Sequence, residues 1–406
     1  MDRFAVGDAW TNRGRRVDAR ALTRGDIVSD WECHTAYPRY MKAARGAHVW
    51  DVDGNRYIDY LLGYGPVILG HADPVVTDAV IAELATGHCM APLWSPRQVE
   101  LAELLTSIVP GAEHVLFLKT GSDATSAAVR LARIFTGRDT IVRSGYNGWH
   151  DWSVPQPAGV PESTRSKTIV FDYHDLASLR RAVDRRVGQV AAVVTMPFED
   201  ERTSAAHLTE IGRIAHSAGA LLILDEMRSG FRLALGGAQE YFGVRADLTT
   251  FSKALANGYA ISAVTGRTEI MAGLASTKIS STFFANPADM VAAAVTVSTL
   301  RDTDAISRTW SMGERLQNGL ASLAAAEGLP AQVVGYPPLP FMRFTFDDHV
   351  LNDIATHAFF VETTARGLLL HPSHQWFLSA AHTADDIDAT LEGCCAAMRA
   401  AADAVS

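Results

Sequence analysis

The feature that most constrains the fold is an alternation of short apolar runs with helical patterns between about residues 110 and 265. Because strands that alternate with helices are joined by crossover connections, this order predicts an α/β fold with a mostly parallel, seven-stranded sheet. The apolar runs lie at residues 115–118, 140–143, 168–171, 191–196, 221–224, 248–251 and 261–265.

The flanking segments follow other patterns. Two alternating runs meet at Asp53-Gly54, a dipeptide typical of hairpin turns. Beyond Pro287 a long alanine-rich helical stretch precedes strand-like and then helical segments. We therefore expect a large domain at residues 62–290 and a smaller α+β domain that combines residues 1–61 with 291–406. The later segments comprise strands at 331–334 and 341–346 and helices at 352–366 and 385–402.

Composition excludes several classes of protein. With 48% hydrophobic residues and a net charge of −9, the 406-residue chain predicts a globular protein without a nucleic-acid partner, since its one basic run, residues 12–16, is short. The start of the chain has no apolar signal-peptide core, and no stretch is apolar for about 18 residues. We therefore expect a cytoplasmic protein that does not interact with a membrane. The four cysteines lack C-x-x-C spacing, so neither disulfides nor a metal site is expected.

Two charged residues follow two of the predicted strands. Asp225 ends one apolar run, and Lys253 comes 28 residues later, just past another. Ligands of parallel sheets bind outside the carboxyl ends of the strands. A lysine there can form a Schiff base and an aspartate can hold a protonated ring nitrogen, and pyridoxal phosphate needs both. Either residue alone is also compatible with an ordinary solvated charge.

Four other segments add candidate ligand contacts. Gly121 and Ser122 lie between a strand and a helix, where free backbone N–H groups favour a phosphate, although a simple helix cap explains the same residues. Tyr146 lies between glycines after another strand, where it can stack on a flat ring or anchor a packed loop. Met227 is two residues past Asp225 and can cover the other ring face or belong to the core. The hydroxyl-rich run around Thr282 precedes a helix and by itself reads as a cap.

In this order, the segments resemble the class III aminotransferases, which are fold type I enzymes dependent on pyridoxal 5'-phosphate, and within them the glutamate-1-semialdehyde aminomutase-like group. The resemblance runs from about Gly46 to about Thr390. The motifs that carry it are residues 50–59, Gly65-Pro66 with Leu69-Gly70-His71, Leu131-Ala132-Arg133 with Thr136-Gly137-Arg138, and Asp225-Glu226 with Gly230-Phe231-Arg232.

The resemblance assigns roles position by position. It implies that Lys253 forms the Schiff base with the cofactor and that Asp225 is the partner of the ring nitrogen. Gly121 and Ser122 are expected to bind the phosphate, and Tyr146 and Met227 to sandwich the ring. Thr282 matches a threonine that reaches the phosphate of the neighbouring subunit. A homodimer with shared active sites is therefore implied.

Several departures from the family pattern concern the substrate. Relatives commonly have Tyr-His-Gly where this chain has Tyr146-Asn147-Gly148, and no arginine matches the one that aminomutases present to a substrate carboxylate, since His34 and Arg39 lack the spacing. The chain is also similar to aminotransferases that install amines on sugars or aminocyclitols. An aromatic pocket would suit a sugar, although such side chains equally serve as packing. The candidate aromatic residues are Trp149, Phe284 and Trp376.

We therefore predict a biosynthetic enzyme that moves an amino group from a small-molecule amine donor, such as an amino acid, to a ketone or aldehyde acceptor. An intramolecular aminomutase of the glutamate-1-semialdehyde type, or an epimerase using the same cofactor, is the nearest alternative. A scaffold that binds the cofactor without catalysis has no need of Lys253 and Asp225. A nicotinamide dehydrogenase is disfavoured because no G-x-G-x-x-G follows an early strand.

Overall fold

A computed structural model describes residues 37–38, 40–199 and 203–406, together with residues 5, 6 and 9. Residues 12–16, Cys33, His34 and Arg39 lie outside the described part. The strands are β1 (Met41–Arg45), β2 (His48–Asp51), β3 (Arg56–Asp59), β4 (His114–Leu118), β5 (Thr140–Arg143), β6 (Thr168–Val170), β7 (Val190–Thr195), β8 (Leu221–Asp225), β9 (Leu248–Phe251), β10 (Ser262–Gly266), β11 (Ala331–Val334), β12 (Phe341–Phe344) and β13 (Leu368–Leu369). The helices are α1 (Pro74–Leu84), α2 (Pro96–Ile108), α3 (Gly121–Thr136), α4 (Glu162–Arg165), α5 (Leu176–Asp184), α6 (Ala205–Ser217), α7 (Ala238–Phe242), α8 (Thr268–Met271), α9 (Pro287–Asp302), α10 (Ala305–Ala326), α11 (His349–Ala365) and α12 (Ala384–Val405).

The chain divides into two compact units, one formed by Pro74–Ile306 and the other by Met1–Asp73 with Ser307–Ser406. The domain boundaries expected from the sequence, 61/62 and 290/291, lie 12 and 16 residues before the boundaries between these units, 73/74 and 306/307. The second expected boundary falls inside α9, which the sequence merges with α10 into one helical stretch. The structure ends α9 before Thr303, whose extended backbone caps the helix.

The larger unit is built on a seven-stranded sheet in the order β4-β10-β9-β8-β7-β5-β6. The neighbours from β9 to β6 run parallel, and β10 runs antiparallel to both β9 and β4. The carboxyl ends of β4, β5, β7, β8 and β9 therefore point to the same edge. This confirms the predicted α/β fold with a mostly parallel seven-stranded sheet.

Both faces of this sheet are covered. Ile141 packs with α3 and Ile223 in one apolar cluster, whereas the next residue, Val142, packs with residues of α5 and α6 in another. Consecutive side chains of a strand point to opposite faces, so a strand buried on both sides reads as a continuous apolar run. Only the ends of such strands are available for polar chemistry.

The smaller unit contains a four-stranded sheet in the order β1-β2-β3-β13 and the antiparallel pair β11–β12. β2 and β3 form the hairpin predicted at Asp53-Gly54. The core of the smaller unit joins residues of β3, β12, α10, α11 and α12 around Trp376 and Phe360. No helix in the described part of the chain combines the length and apolarity that a membrane crossing requires.

Candidate active site

Asp225 and Lys253 lie at the same edge of the large sheet, at the ends of neighbouring strands. Asp225 is the last residue of β8, and its partner in the parallel register is Thr250 of β9. Lys253 follows the end of β9 by two residues. Their charges influence each other, since each shifts the pKa of the other. The adjacency that the sequence suggested from two separate strand ends is therefore present in the fold.

The carboxylate of Asp225 is buried and accepts three hydrogen bonds. Asn147 Nδ2 donates to Oδ2 at 3.0 Å, while the N–H of Met227 and the hydroxyl of Thr250 donate to Oδ1 at 3.2 and 3.4 Å. Burial raises the pKa of Asp225, and these donors together with Lys253 oppose that rise. A cation placed at this carboxylate would therefore be held in a desolvated setting, where charge pairs interact strongly.

Lys253 opens a single turn of 3-10 helix, Lys253–Ala256, and has a left-handed backbone with φ of 49°. Burial, and then the positive charge of Arg228, lowers the pKa of Lys253 to about 8, against the opposing effect of Asp225. The ordinary lysine pKa is about 10.4. A much larger fraction of this amine is therefore neutral near pH 8, as a nucleophile or base requires.

The N-terminus of α3 presents two backbone N–H groups. Thr120 is the N-cap: its hydroxyl accepts the N–H of Asp123 at 3.2 Å, and the Asp123 carboxylate accepts the N–H of Thr120 at 2.9 Å. The bonds form a capping box. The N–H groups of Gly121 and Ser122 have no acceptor among the described residues. The helix is thus capped by Thr120 rather than by Ser122 or Asp123, and two donors remain at the positive end of its dipole.

Two glycines bring three segments of this site together. A Cβ on Gly121 would lie 2.9 Å from the sulfur of Met227, and a Cβ on Gly148 would lie 2.5 Å from Oγ of Ser122. Ser122 Oγ also accepts the N–H of Trp149 at 3.2 Å. The start of α3, the segment after β8 and the loop after β5 are therefore in direct contact, and any larger side chain at either glycine would separate them.

The remaining predicted residues lie at the surface. Tyr146, in the same loop as Asn147, has 58% of its surface exposed. Thr282 is also exposed and, with Phe283 and residues 88–91, lines a small cavity of about 160 Å³. Within the described part of one chain it makes no hydrogen bond to the residues around Asp225. The structure therefore brings together Gly121, Ser122, Met227, Asp225 and Lys253, and shows no hydrogen bond from Thr282 to them within the described residues.

The aromatic candidates for a substrate pocket separate into different environments. Trp376 is fully buried in the core of the smaller unit, where its ring packs against Phe341 and Phe360 and its N–H donates to the carbonyl of His371. The suggestion that Trp376 lines a pocket is therefore wrong. Trp149 has 66% of its surface exposed, and Phe284 is partly buried against the core of the larger unit.

The donor set fits pyridoxal phosphate. The group requires an anion site, a buried carboxylate and a lysine that is readily neutral. The structure supplies these in the free N–H groups of Gly121 and Ser122, in Asp225 and in Lys253. Two contacts were missed from the sequence alone: Asn147, noted only as a departure from the family pattern, and Thr250, whose bond to Asp225 follows from a strand register that no motif reveals.

Comparison with known proteins agrees with a site for pyridoxal phosphate. The family model described as aminotransferase class-III matches residues 31–392. The 3-aminobutyryl-CoA aminotransferase of Cloacimonas acidaminovorans (strain Evry) is 35% identical over 364 residues, 88% of this chain and 88% of that protein. A glutamate-1-semialdehyde 2,1-aminomutase of Methanothrix thermoacetophila is 36% identical, covering 92% of this chain and 93% of that protein. The 2'-deamino-2'-hydroxyneamine transaminase of Streptomyces kanamyceticus is 34% identical, covering 89% of this chain and 91% of that protein.

Among solved structures, the FumI protein of Sphingopyxis sp. MTA144 in its PLP internal aldimine form is 33% identical and has a TM-score of 0.86, covering 90% of each chain. Both the family match and these relatives extend over most of the chain. The chain belongs to the class III aminotransferases, fold type I enzymes that use pyridoxal phosphate to move an amino group from an amino donor to a carbonyl acceptor.

Proposed function

We propose that this aminotransferase takes an amino group from an amino acid and installs it on the carbonyl of a sugar or aminocyclitol. The observation that carries the catalytic part is the pair Asp225 and Lys253 on neighbouring strand ends, with a carboxylate held by three donors and an amine whose pKa is lowered to about 8. The predicted roles of the site residues are part of the same proposal.

When bound, pyridoxal phosphate supplies an electron-accepting ring that acidifies the proton on the amine-bearing carbon of the substrate. Asp225 would keep the ring nitrogen protonated, because a desolvated carboxylate favours a cation beside it. Lys253 Nζ would take the proton from that carbon in its neutral form. The N–H groups of Gly121 and Ser122 would bind the phosphate, and Tyr146 and Met227 would flank the ring.

A homodimer with shared active sites is also proposed. Large apolar side chains are exposed on and after α1, including Trp94 with 81% of its surface exposed and Leu93 with 74%. Phe283, beside Thr282, is 60% exposed. The small cavity of Thr282 is lined by residues 88–91, so Thr282 lies next to this apolar segment. Exposed apolar patches of this kind mark interaction surfaces, and a partner's Thr282 reaching the phosphate would explain why Thr282 makes no hydrogen bond to the residues around Asp225 in the described part of one chain.

The sugar or aminocyclitol acceptor rests on two supports. One is the similarity to the 2'-deamino-2'-hydroxyneamine transaminase. The other is the exposed side chain of Trp149, a residue whose backbone N–H donates to Ser122 Oγ at the start of α3. Sugars present apolar faces that pack on aromatic rings, and the rim of the proposed cofactor site offers one.

The test combines spectroscopy with product analysis. Purified protein loaded with pyridoxal phosphate is mixed with single amino acids, and then with aminosugar-derived ketones or with simple keto acids. We expect an amino acid to convert the cofactor to its amino form and release a keto acid, and a sugar ketone to reverse the conversion. Lys253→Ala should abolish both the lysine-bound absorbance and turnover. Normal turnover by that variant would refute the role of Lys253.

The relative that is an aminomutase supports a second candidate, an intramolecular transfer. A single substrate separates the two. A transaminase stops at the amino form of the cofactor when given the donor alone, whereas an aminomutase returns to its starting spectrum and releases an isomer of the compound supplied.

A further inference from the structure

Asn147 is held between two parts of the site. Its backbone carbonyl accepts the hydroxyl of Thr125, in α3, at 2.8 Å, and its side-chain Nδ2 donates to Asp225 at 3.0 Å. The residue is buried, with 1% of its surface exposed. The donor that contacts Asp225 from the loop after β5 is therefore a group that does not titrate.

The other end of the Asn147 amide is uncommitted. Its Oδ1 is buried and has no hydrogen-bond partner among the described residues. Buried amide oxygens normally have a donor, so this one calls for an explanation. The orientation of the amide is explained by its Nδ2–H bond to Asp225, which is the hydrogen bond that this side chain makes in the described part of the chain.

We propose that Asn147 is a positioning residue that holds the ionised carboxylate of Asp225 through an amide that carries no charge. The inference rests on the proposed role of Asp225. A histidine at this place would also reach the carboxylate, but it would gain a proton near pH 6.5. Its positive charge would then compete with the protonated ring nitrogen for the same carboxylate. Asn147 leaves the whole charge of Asp225 to the ring.

The surrounding titratable groups do not supply a replacement for such a histidine. Two charged groups interact electrostatically with Asp225: Lys253, which follows β9, and Glu226, which follows β8. Arg143, the last residue of β5, donates to the carbonyl of Gly145, and in the loop after β5 Nδ1 of His150 is bonded to Ser126. All four are present in the wild type and in any Asn147 variant, so their effects cancel when the two are compared.

The experiment compares Asn147→His and Asn147→Ala with the wild type and with Asp225→Asn. The rate of the half-reaction with the donor is followed from pH 5 to 9. We expect Asn147→His to approach the wild-type rate above pH 8 and to show an additional loss of activity as the pH falls through about 6.5, beyond the limb that Lys253 gives to both proteins. Asn147→Ala should be about 10- to 100-fold slower at every pH, the loss expected for a hydrogen bond to a charged group.

A second measurement needs no cofactor. The carboxyl of Asp225 is titrated in the cofactor-free protein by carbon-13 NMR, with Asp225→Asn to assign the signal. Because the Asn147 donor favours the ionised form, Asn147→Ala should raise the pKa of Asp225 further. A wild-type pH profile in Asn147→His together with an unchanged titration in Asn147→Ala would overturn the inference. If Asp225→Asn itself kept the wild-type rate, the proposed function would fail instead.

Discussion

Asp225 and Glu226 are consecutive carboxylates, and comparing them separates a chemical role from a structural one. Both are buried, and burial raises the pKa of both, that of Glu226 to about 7. Their donors differ. Asp225 is held largely by side chains from other elements, Asn147 and Thr250, whereas Glu226 accepts the N–H groups of Ala238 and Gln239 at 2.9 Å and the hydroxyl of Ser229.

Glu226 thereby closes the segment that runs from β8 to α7. A Cβ on Gly237 would lie 2.7 Å from its Oε2, so the backbone packs directly on the carboxylate. Burial and a raised pKa are thus shared by a residue proposed for catalysis and one that fastens a loop. The distinction lies in where the donors come from: two of the three donors to Asp225 are side chains of other elements, whereas two of the three donors to Glu226 are backbone N–H groups at the start of α7.

The largest expected effect is that of Asp225→Asn on the reaction. A neutral amide cannot hold a protonated ring nitrogen, so removal of the donor's α-proton should slow by at least about 100-fold, as for other losses of aligned electrostatic stabilisation. Single-turnover measurements with a deuterated donor would show it. Thermal stability should stay close to wild type. A near-normal rate would place Asp225 with Glu226 as a structural carboxylate.

Glu226→Ala should show the reverse pattern. Two buried N–H groups, those of Ala238 and Gln239, would lose their acceptor, which predicts a loss of about 2–6 kcal/mol in the free energy of unfolding. Urea unfolding of the cofactor-free protein measures it. The exposed carboxylate Glu103 offers the matched control, Glu103→Ala, for which little change is expected. Equal stability of the two variants would contradict the fastening role.

Arg228→Gln should give the smallest of the three effects. The Arg228 guanidinium lies over the Phe198 ring and lowers the pKa of Lys253, so its removal should raise that pKa above about 8. The neutral amine would then appear only at higher pH, and the limb of activity that depends on it would move in the same direction. The pH dependence of Lys253 reductive methylation in the cofactor-free protein tests this.

Arg245→Gln is the control for that measurement, because Arg245 is an exposed arginine of the same unit. It should leave the methylation profile of Lys253 unchanged. If Arg228→Gln behaves in the same way, burial alone accounts for the low pKa of the lysine, and Arg228 has no part in preparing the amine.

Much of the fold follows from sequence because strands buried on both faces leave a strong signal. All seven apolar runs became strands of the large sheet, and Asp225 and Lys253 lie at the predicted strand ends. Features that depend on loop conformation or on distant packing did not follow. The Asn147 bond to Asp225 depends on the conformation of the loop after β5. The burial of Trp376 depends on a core assembled from several helices and strands of the smaller unit.

The left-handed backbone of Lys253 sets stability against activity at one position. A non-glycine residue at φ of 49° costs on the order of 1 kcal/mol, and glycine relieves that cost. The proposed chemistry therefore depends on a lysine at a position whose backbone conformation disfavours any residue other than glycine. Lys253→Gly should melt at a higher temperature than Lys253→Ala in the cofactor-free protein, since only glycine suits that conformation.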